Sequence, residues 1–229
     1  GPPPDLRARH PPAGAPTLTS MTAPIRVVTI SASYGAGGSV VGPMVAERLG
    51  LPFVDRAIPA SVAARLDVPL EDALSHDERA ASGFWRALAT VALSGPMPDT
   101  AGALHEDSSN RFQAQTEAVI REVADETGGV LLGRAAAIVL GARSDVLRVR
   151  LDGPVEDRIR QAVRMGEPDE ATAREHVRSF DRAWDGYVKR FYRTDATDPR
   201  LYDLVFNSTS LSLEVCAELI ALAATRGRR

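Results

Sequence analysis

The chain has 229 residues, 44% of them hydrophobic, which is enough for one large α/β domain or one domain with a small insertion. Its formal net charge of −3 and its isoelectric point near 5.9 argue against broad binding to nucleic acids or membrane surfaces. No apolar run approaches the length of a transmembrane helix, and no signal-peptide pattern precedes Met21.

The single cysteine, Cys216, cannot form an internal disulfide. We therefore expect a cytoplasmic protein.

Residues 1–24 hold seven of the 16 prolines and show no apolar periodicity, so we expect them to form a disordered leader. We expect residues 25–229 to form a single domain. Lys189 is the only lysine, so 26 of the 27 basic residues are arginine (27 − 1 = 26). Phosphate chemistry in this chain would therefore use arginine, backbone amides or a metal ion.

The most informative stretch is residues 25–49. Its first part is an apolar run through Val27, Val28 and Ile30, which is typical of a buried strand. Glycines then stand at positions 35, 37 and 38, where a chain turns tightly or lets a ligand approach its backbone. Apolar residues recur at helical spacing from Val41 to Leu49, and Gly50 stops the helix. A strand, a glycine turn and a helix N-terminus together can bind an anion.

Two interpretations of this turn stay open on spacing alone. It lacks the dinucleotide fingerprint, because Val40 stands where a third glycine is needed. It is also an incomplete Walker A motif, with Ser33 at the first glycine, Ser39 at the lysine and Val40 at the hydroxyl position. The turn is either an ordinary strand-to-helix connection or a cradle for a phosphate group.

The rest of the chain alternates short apolar runs with helical patterns. We predict helices in a substrate-side insertion at residues 56–127, with a polar, mobile stretch at 94–109 before a longer helix. An arginine-rich helical region at 169–193 can break near Gly186, and a closing helix covers 211–225. The remaining predicted strands are residues 51–55, 128–134, 146–151 and 203–207.

Five short strands separated by helices predict an α/β fold, with a five-stranded parallel sheet flanked by helices on both faces. Ligands of such sheets bind beyond the carboxyl ends of the strands. Asp55 and Arg134 end two of the predicted strands, so we expect both at that edge with the glycine turn. Two roles stay open for Asp55, contact with a substrate or capping of the local backbone.

With these landmarks the chain resembles the cytidylate kinase-like family of P-loop nucleoside monophosphate kinases. The segment ISASYGAGGSVVG at residues 30–42 is similar to the family pattern ISREYGSGGREIG. VLLGRAAAIVL at 130–140 resembles the family strand that ends in Gly-Arg, and DLVFNSTSLSLE at 203–214 its final strand and helix entry. Arg178, Asp181, Arg182 and the segment 187–192 are similar to the lid and the helix after it, so the resemblance implies a lid region at 168–200.

The resemblance implies transfer of the γ-phosphoryl group of ATP, with Mg²⁺, to a nucleoside monophosphate such as CMP or dCMP. It implies that Asp55 and Arg134 orient the acceptor nucleotide. The implied phosphate-cradle residues are Gly35, Ala36, Gly37, Gly38, Ser39 and Val40. The arginines implied to neutralise the transferred phosphoryl group are Arg134, Arg182, Arg190 and Arg193.

The chain departs from the family pattern at several charged positions. Ser39 stands where the family has a loop lysine or arginine, and Trp184 where a lid arginine is expected. Ala32 and Ser33 replace an Arg-Glu pair, and Leu132 and Ala135 flank the Gly-Arg pair where cytidylate kinases have aspartate. A second hypothesis follows from these departures: a catalytically degenerate nucleotide-binding module with a regulatory or interaction role.

Overall fold

The computed structural model describes residues 24–55, 102–133 and 135–226, with the backbone alone for 102–112. The predictions made for residues 1–23, for residues 56–101 of the insertion and for Arg134 lie outside the described residues.

A five-stranded parallel sheet forms the centre of this part of the chain, as the sequence predicts. The strand order is β2-β3-β1-β4-β5, so β1 lies in the middle. In register, Val27 of β1 lies between Gly129 of β3 and Val146 of β4. The strands are β1 (Val27–Ala32), β2 (Phe53–Val54), β3 (Gly129–Leu132), β4 (Val146–Asp152) and β5 (Leu204–Asn207).

Helices connect the strands of the described chain. The α-helices are α1 (Gly38–Leu49), α2 (Gly102–Glu126), α3 (Ala136–Leu140), α4 (Val155–Arg164), α5 (Glu170–Tyr192) and α6 (Leu213–Arg226). A short 3₁₀ helix, Pro199–Leu201, precedes β5.

The two faces of the sheet carry separate apolar clusters. On one face Val28 and Ile30 of β1 pack with residues of α1 and α6, including Val45 and Ile220. On the other face Val27 packs with residues of α2 and α3. Strands buried on both faces are apolar nearly throughout, which explains why they were recognisable in the sequence.

Two helices differ from the prediction, one at an expected break and one at its first residue. The helix α5 is continuous through Gly186, because the neighbouring Trp184, Tyr187 and Val188 are buried and their packing offsets the roughly 1 kcal/mol that glycine costs in a helix. The helix α2 begins at Gly102, inside the stretch expected to be mobile. Once an apolar-faced helix has formed, each further residue adds a backbone hydrogen bond, so polar residues extend it without a hydrophobic pattern of their own.

Candidate functional site

The carboxyl ends of β1 and β4 lie side by side at the centre of the sheet. The chain leaves β1 towards β2 on one side, and leaves β4 towards β5 on the other. Neighbouring strands whose connections part in this way open a crevice above their ends, which is where α/β sheets bind ligands. Residues 33–37, which we call the glycine loop, join β1 to α1 at this crevice.

The glycine loop has a backbone that only glycine can adopt easily at two positions. Gly35 has φ +77° and Gly37 has φ +83°, both in the left-handed region. A Cβ atom at Gly35 would lie 2.3 Å from the carbonyl oxygen of Arg158, and one at Gly37 would lie 2.5 Å from Cδ2 of Leu213. The loop is therefore held closely between α4 and the start of α6.

Three consecutive carbonyl groups of the loop accept hydrogen bonds from side chains outside it. These bonds fix the peptide planes of the loop from α4 on one side and from the residue after β5 on the other. The donors are Nη1 of Arg158 to Tyr34 at 2.9 Å, Nε2 of Gln161 to Gly35 at 3.0 Å and Oγ of Ser208 to Ala36 at 2.7 Å.

The N-terminus of α1 follows the loop directly, with Gly37 as its N-cap. The carbonyl of Gly37 accepts from the N–H groups of Val40 and Val41 at 3.0 and 2.9 Å. Helix geometry leaves the N–H groups of the first turn, including those of Gly38 and Ser39, without an intrahelical acceptor. A fixed loop whose carbonyls are engaged, beside the positive end of a helix dipole, fits a phosphate group.

A buried guanidinium group supports the start of the loop. Arg150 of β4 is 5% exposed, and its Nη2 lies 3.0 Å from Oγ of Ser33 and 2.7 Å from Oδ2 of Asp152. Burial opposes the charge on Arg150, but Asp152 keeps the pKa of Arg150 above its ordinary value. Burial alone would raise the pKa of Asp152, and the neighbouring Arg150 holds that pKa below its ordinary value.

A second buried guanidinium group, that of Arg158 at 4% exposure, contacts three parts of the structure. Besides the carbonyl of Tyr34, it donates from Nε to the carbonyl of Gly153 at 3.0 Å. Its Nη2 and Nη1 donate to the two carboxylate oxygens of Asp181 on α5, at 2.8 and 3.3 Å. Arg158 therefore joins the glycine loop, the end of β4 and the arginine-rich helix.

Tyr34 places its side chain against the connection between α4 and α5. Its hydroxyl donates to Glu167 and lies 3.3 Å from Nδ1 of His176, and its ring packs on that of Phe180. Burial and the neighbouring Glu167 raise the pKa of Tyr34. Burial tends to raise the pKa of Glu167, but hydrogen bonds from Tyr34 and His176 lower it overall.

The residues predicted to form the cradle lie together in the glycine loop and the first turn of α1. Ser39, at the position of the family's loop cation, is exposed. Asp55 follows β2 at the same edge of the sheet and is half-buried, as expected from the parallel topology. Since β3 separates β2 from β1, Asp55 lies two strand spacings, about 10 Å, from β1, where the strand register places it level with Ile30.

The predicted lid arginines lie on or just after α5. Arg182 and Arg190 are exposed, and Cζ of Arg190 lies 5.4 Å from the ring centroid of Phe191. Arg193 is exposed and caps the C-terminus of α5 with φ +51°. Trp184, which replaces an expected lid arginine, is buried and stacks on Tyr187 with ring centroids 5.8 Å apart. At this position a buried, packed tryptophan therefore replaces a charged side chain.

Sequence analysis missed the side chains that hold the loop, namely Arg150, Asp152, Arg158, Gln161 and Ser208. One available signal was the pair of arginines at alternate positions in the apolar strand VLRVRLD, because a strand buried on both faces tolerates an arginine only where it finds a partner. In the amphipathic helix α4 nothing distinguished Arg158 from the exposed arginines nearby.

Among the described residues, no group of three or more His, Cys, Asp or Glu side chains is arranged to hold a metal ion. None of the described helices is long and apolar enough to cross a membrane.

The model of the cytidylate kinase-like family matches residues 27–210, which span the whole parallel sheet and the glycine loop. The chain belongs to the cytidylate kinase-like family. Membership supports a function related to that of nucleotide kinases.

Among individual proteins, one solved structure with a TM-score above 0.5 supports the fold. A solved structure of an uncharacterized protein from Eubacterium ventriosum has a TM-score of 0.60 at 16% identity, over 85% of this chain and 94% of that one. Shikimate kinase from Acinetobacter baumannii has a TM-score of 0.44 at 15% identity, over 86% and 90%. A Corynebacterium glutamicum protein named uronate isomerase is 30% identical over 141 residues, which are 61% of this chain and 27% of that protein. The chain thus spans about a quarter of the length of that relative.

Proposed function

We propose that this protein transfers the γ-phosphoryl group of ATP to a nucleoside monophosphate, with CMP and dCMP as the first candidate acceptors. The observation that carries the proposal is the glycine loop, with its carbonyls tied to Arg158, Gln161 and Ser208 at the N-terminus of α1. The N–H groups of Ser33 and Ala36 already donate to the carbonyls of Leu151 and Ser33. A loop held in this way presents its other N–H groups without rearrangement, and preorganised donors are the main source of electrostatic stabilisation in phosphoryl transfer.

In this proposal the chain binds and orients the two nucleotides, because phosphoryl transfer needs no covalent intermediate on the protein. The glycine loop and the first turn of α1, residues 35–40, hold the β-phosphate. Arg134, Arg182, Arg190 and Arg193 offset the charge on the transferred group, and Asp55 with Arg134 orients the acceptor. Mg²⁺ would be held mainly by phosphate oxygens and water, with the Ser39 hydroxyl available from the first turn of α1, and would offset phosphate charge when bound.

A coupled assay of ADP release with Mg²⁺-ATP, run with CMP, dCMP, UMP and AMP, tests the proposal. We expect turnover, fastest with CMP or dCMP. Replacing Arg182 by Gln should lower turnover on the order of 10³-fold if this side chain meets the transferred phosphoryl. The matched control is Arg164→Gln, an exposed arginine at the end of α4, which should leave turnover within a factor of two or so.

The structure also favours a second candidate function, that of a nucleotide-binding module without catalysis. The two buried cations beside the loop, Arg150 and Arg158, are each paired with an aspartate, and the first turn of α1 has Ser39 where the family has a cation. Isothermal titration calorimetry separates the two functions. ATP binding without turnover on any acceptor supports the module, whereas absence of binding to both ATP and CMP contradicts both functions.

A further inference from the structure

The starting observation is that Arg158 contacts both the glycine loop and α5. Its Nη1 lies 2.9 Å from the carbonyl oxygen of Tyr34 and 3.3 Å from Oδ1 of Asp181, and its Nη2 lies 2.8 Å from Oδ2 of Asp181. One guanidinium group thus connects a loop backbone and a helix that are far apart in the sequence. The sequence separations are 124 residues to Tyr34 and 23 residues to Asp181.

The position of this guanidinium group depends on Asp181. The side chain of Arg158 is 5% exposed, so loss of its carboxylate partner would leave a buried charge that seeks another acceptor. The nearest other carboxylate is that of Asp152, whose Oδ1 lies 3.6 Å from Nε. A turn of the guanidinium group towards Asp152 would draw Nη1 away from the carbonyl of Tyr34.

The loop would respond to such a movement at Tyr34, whose carbonyl accepts from Nη1 of Arg158, while the backbone of Arg158 also contacts the loop. A Cβ atom at Gly35 would already lie 2.3 Å from the carbonyl oxygen of Arg158, so the two backbones are in direct contact. On the other side, Asp181 immediately precedes Arg182 on α5. The helix that carries the proposed lid arginines is therefore tied to the loop by a bidentate ion pair, in addition to the contacts of the Tyr34 side chain with His176 and Phe180.

We propose that Arg158 is a positioning residue that couples the glycine loop to α5, so that phosphate binding in the loop depends on the docking of Asp181. The proposal rests on the function proposed above. Asp181 and Arg158 need not touch the nucleotide: Asp181 fixes Arg158, Arg158 fixes the peptide plane of Tyr34, and the loop then accepts the phosphate in its bound conformation.

The structure contains a matched control for this ion pair. Arg174 of α5 and Glu156 of α4 also join these two helices with two hydrogen bonds, and Nη2 of Arg174 lies 2.7 Å from Oε2 of Glu156. This pair lies at the surface, where the side chain of Glu156 is 58% exposed. Asp181→Asn and Glu156→Gln each remove one negative charge from an α4–α5 pair, but only Asp181 binds the arginine that reaches the loop.

The experiment measures ATP binding by isothermal titration calorimetry at a temperature where circular dichroism shows each variant to be folded. A Trp85→Phe background leaves Trp184, three residues after Asp181, as the only tryptophan and reports on α5. In the parent we expect ATP binding to change the fluorescence of Trp184. We expect Asp181→Asn to weaken ATP binding about tenfold and to abolish that change. Glu156→Gln should behave like the parent in both measurements.

Arg158→Lys is the second variant, and it serves as the test if Asp181→Asn does not fold. It keeps the positive charge at position 158. A lysine amine cannot span the carboxylate and the loop carbonyl as the planar guanidinium does, so we expect the same loss. Parent-like binding and fluorescence in Arg158→Lys would overturn the coupling but not the proposed function. Equal behaviour of Asp181→Asn and Glu156→Gln would do the same. If the parent protein binds neither ATP nor pyrophosphate, both this proposal and the proposed function are wrong.

Discussion

The guanidinium group of Arg150 lies 3.0 Å from the hydroxyl of Ser33, and this contact joins the end of β4 to the start of the glycine loop. The same guanidinium group donates to Asp152 and to the carbonyl of Ala196. A cation buried beneath a loop is costly unless each such partner is present. Arg150 is therefore a structural cation beside the proposed phosphate site, and its charge is already balanced by Asp152.

Replacing Arg150 by Gln should destabilise the protein by about 3 kcal/mol, because Asp152 loses its closest cationic partner and the carbonyl of Ala196 loses its donor. Urea unfolding followed by circular dichroism measures the difference. Arg200→Gln is the control, since Arg200 pairs with Asp198 while 89% exposed and should change stability by less than about 1 kcal/mol. Equal effects of the two substitutions would show that the buried network is not important for stability.

Replacing Gly35 by Ala should weaken ATP binding and lower stability. The added Cβ would meet the carbonyl oxygen of Arg158 at 2.3 Å, and alanine also disfavours the φ of +77°. Gly50→Ala separates the two causes, because Gly50 has φ +63° but nothing within 4 Å of the added atom. We expect the control to lose only about 1 kcal/mol of stability, with unchanged ATP affinity. Unchanged affinity in Gly35→Ala would count against the phosphate cradle.

Replacing Ser39 by Lys should tighten triphosphate binding by about tenfold, because it adds a cation to residues 35–40, which carry none. Ser39 is exposed, so a lysine side chain meets no packing obstacle. Calorimetry with ATP measures the change. Thr225→Lys adds the same charge at an exposed position near the end of α6 and controls for net charge. A folded Ser39→Lys variant with unchanged affinity would contradict the assignment of residues 35–40 to phosphate binding.

Stability should fall in acid, partly through Asp152. Because the folded-state pKa of Asp152 is depressed by Arg150, its contribution is full above the ordinary carboxyl pKa near 4 and is lost as the pH falls through the folded-state pKa. Urea unfolding from about pH 6 down to pH 3 should therefore show a declining free energy of unfolding. Asp152→Asn should decline less over that range. Parallel curves for the two proteins would exclude Asp152 as a source of the acid sensitivity.

The sequence by itself determined the parallel sheet and the position of the glycine loop. Each strand is an apolar run, and the turn between β1 and α1 needs its glycines for local backbone reasons, with positive φ at Gly35 and Gly37. The same local signals carried the resemblance to the family, since the motifs are short and follow one another in order. Helix boundaries were less certain where polar residues extend a helix, as at Gly102.

Only the tertiary structure decided which arginines are held inside and which face solvent. Arg150 and Arg158 look like the many other arginines of the chain, and their roles depend on partners such as Ser33 and Tyr34, which are 117 and 124 residues away in sequence. Likewise Ser208 reaches the loop carbonyl of Ala36 across 172 residues. Local propensity contains no information on such contacts, because burial and the pairing of charges arise only when the strands and helices pack together.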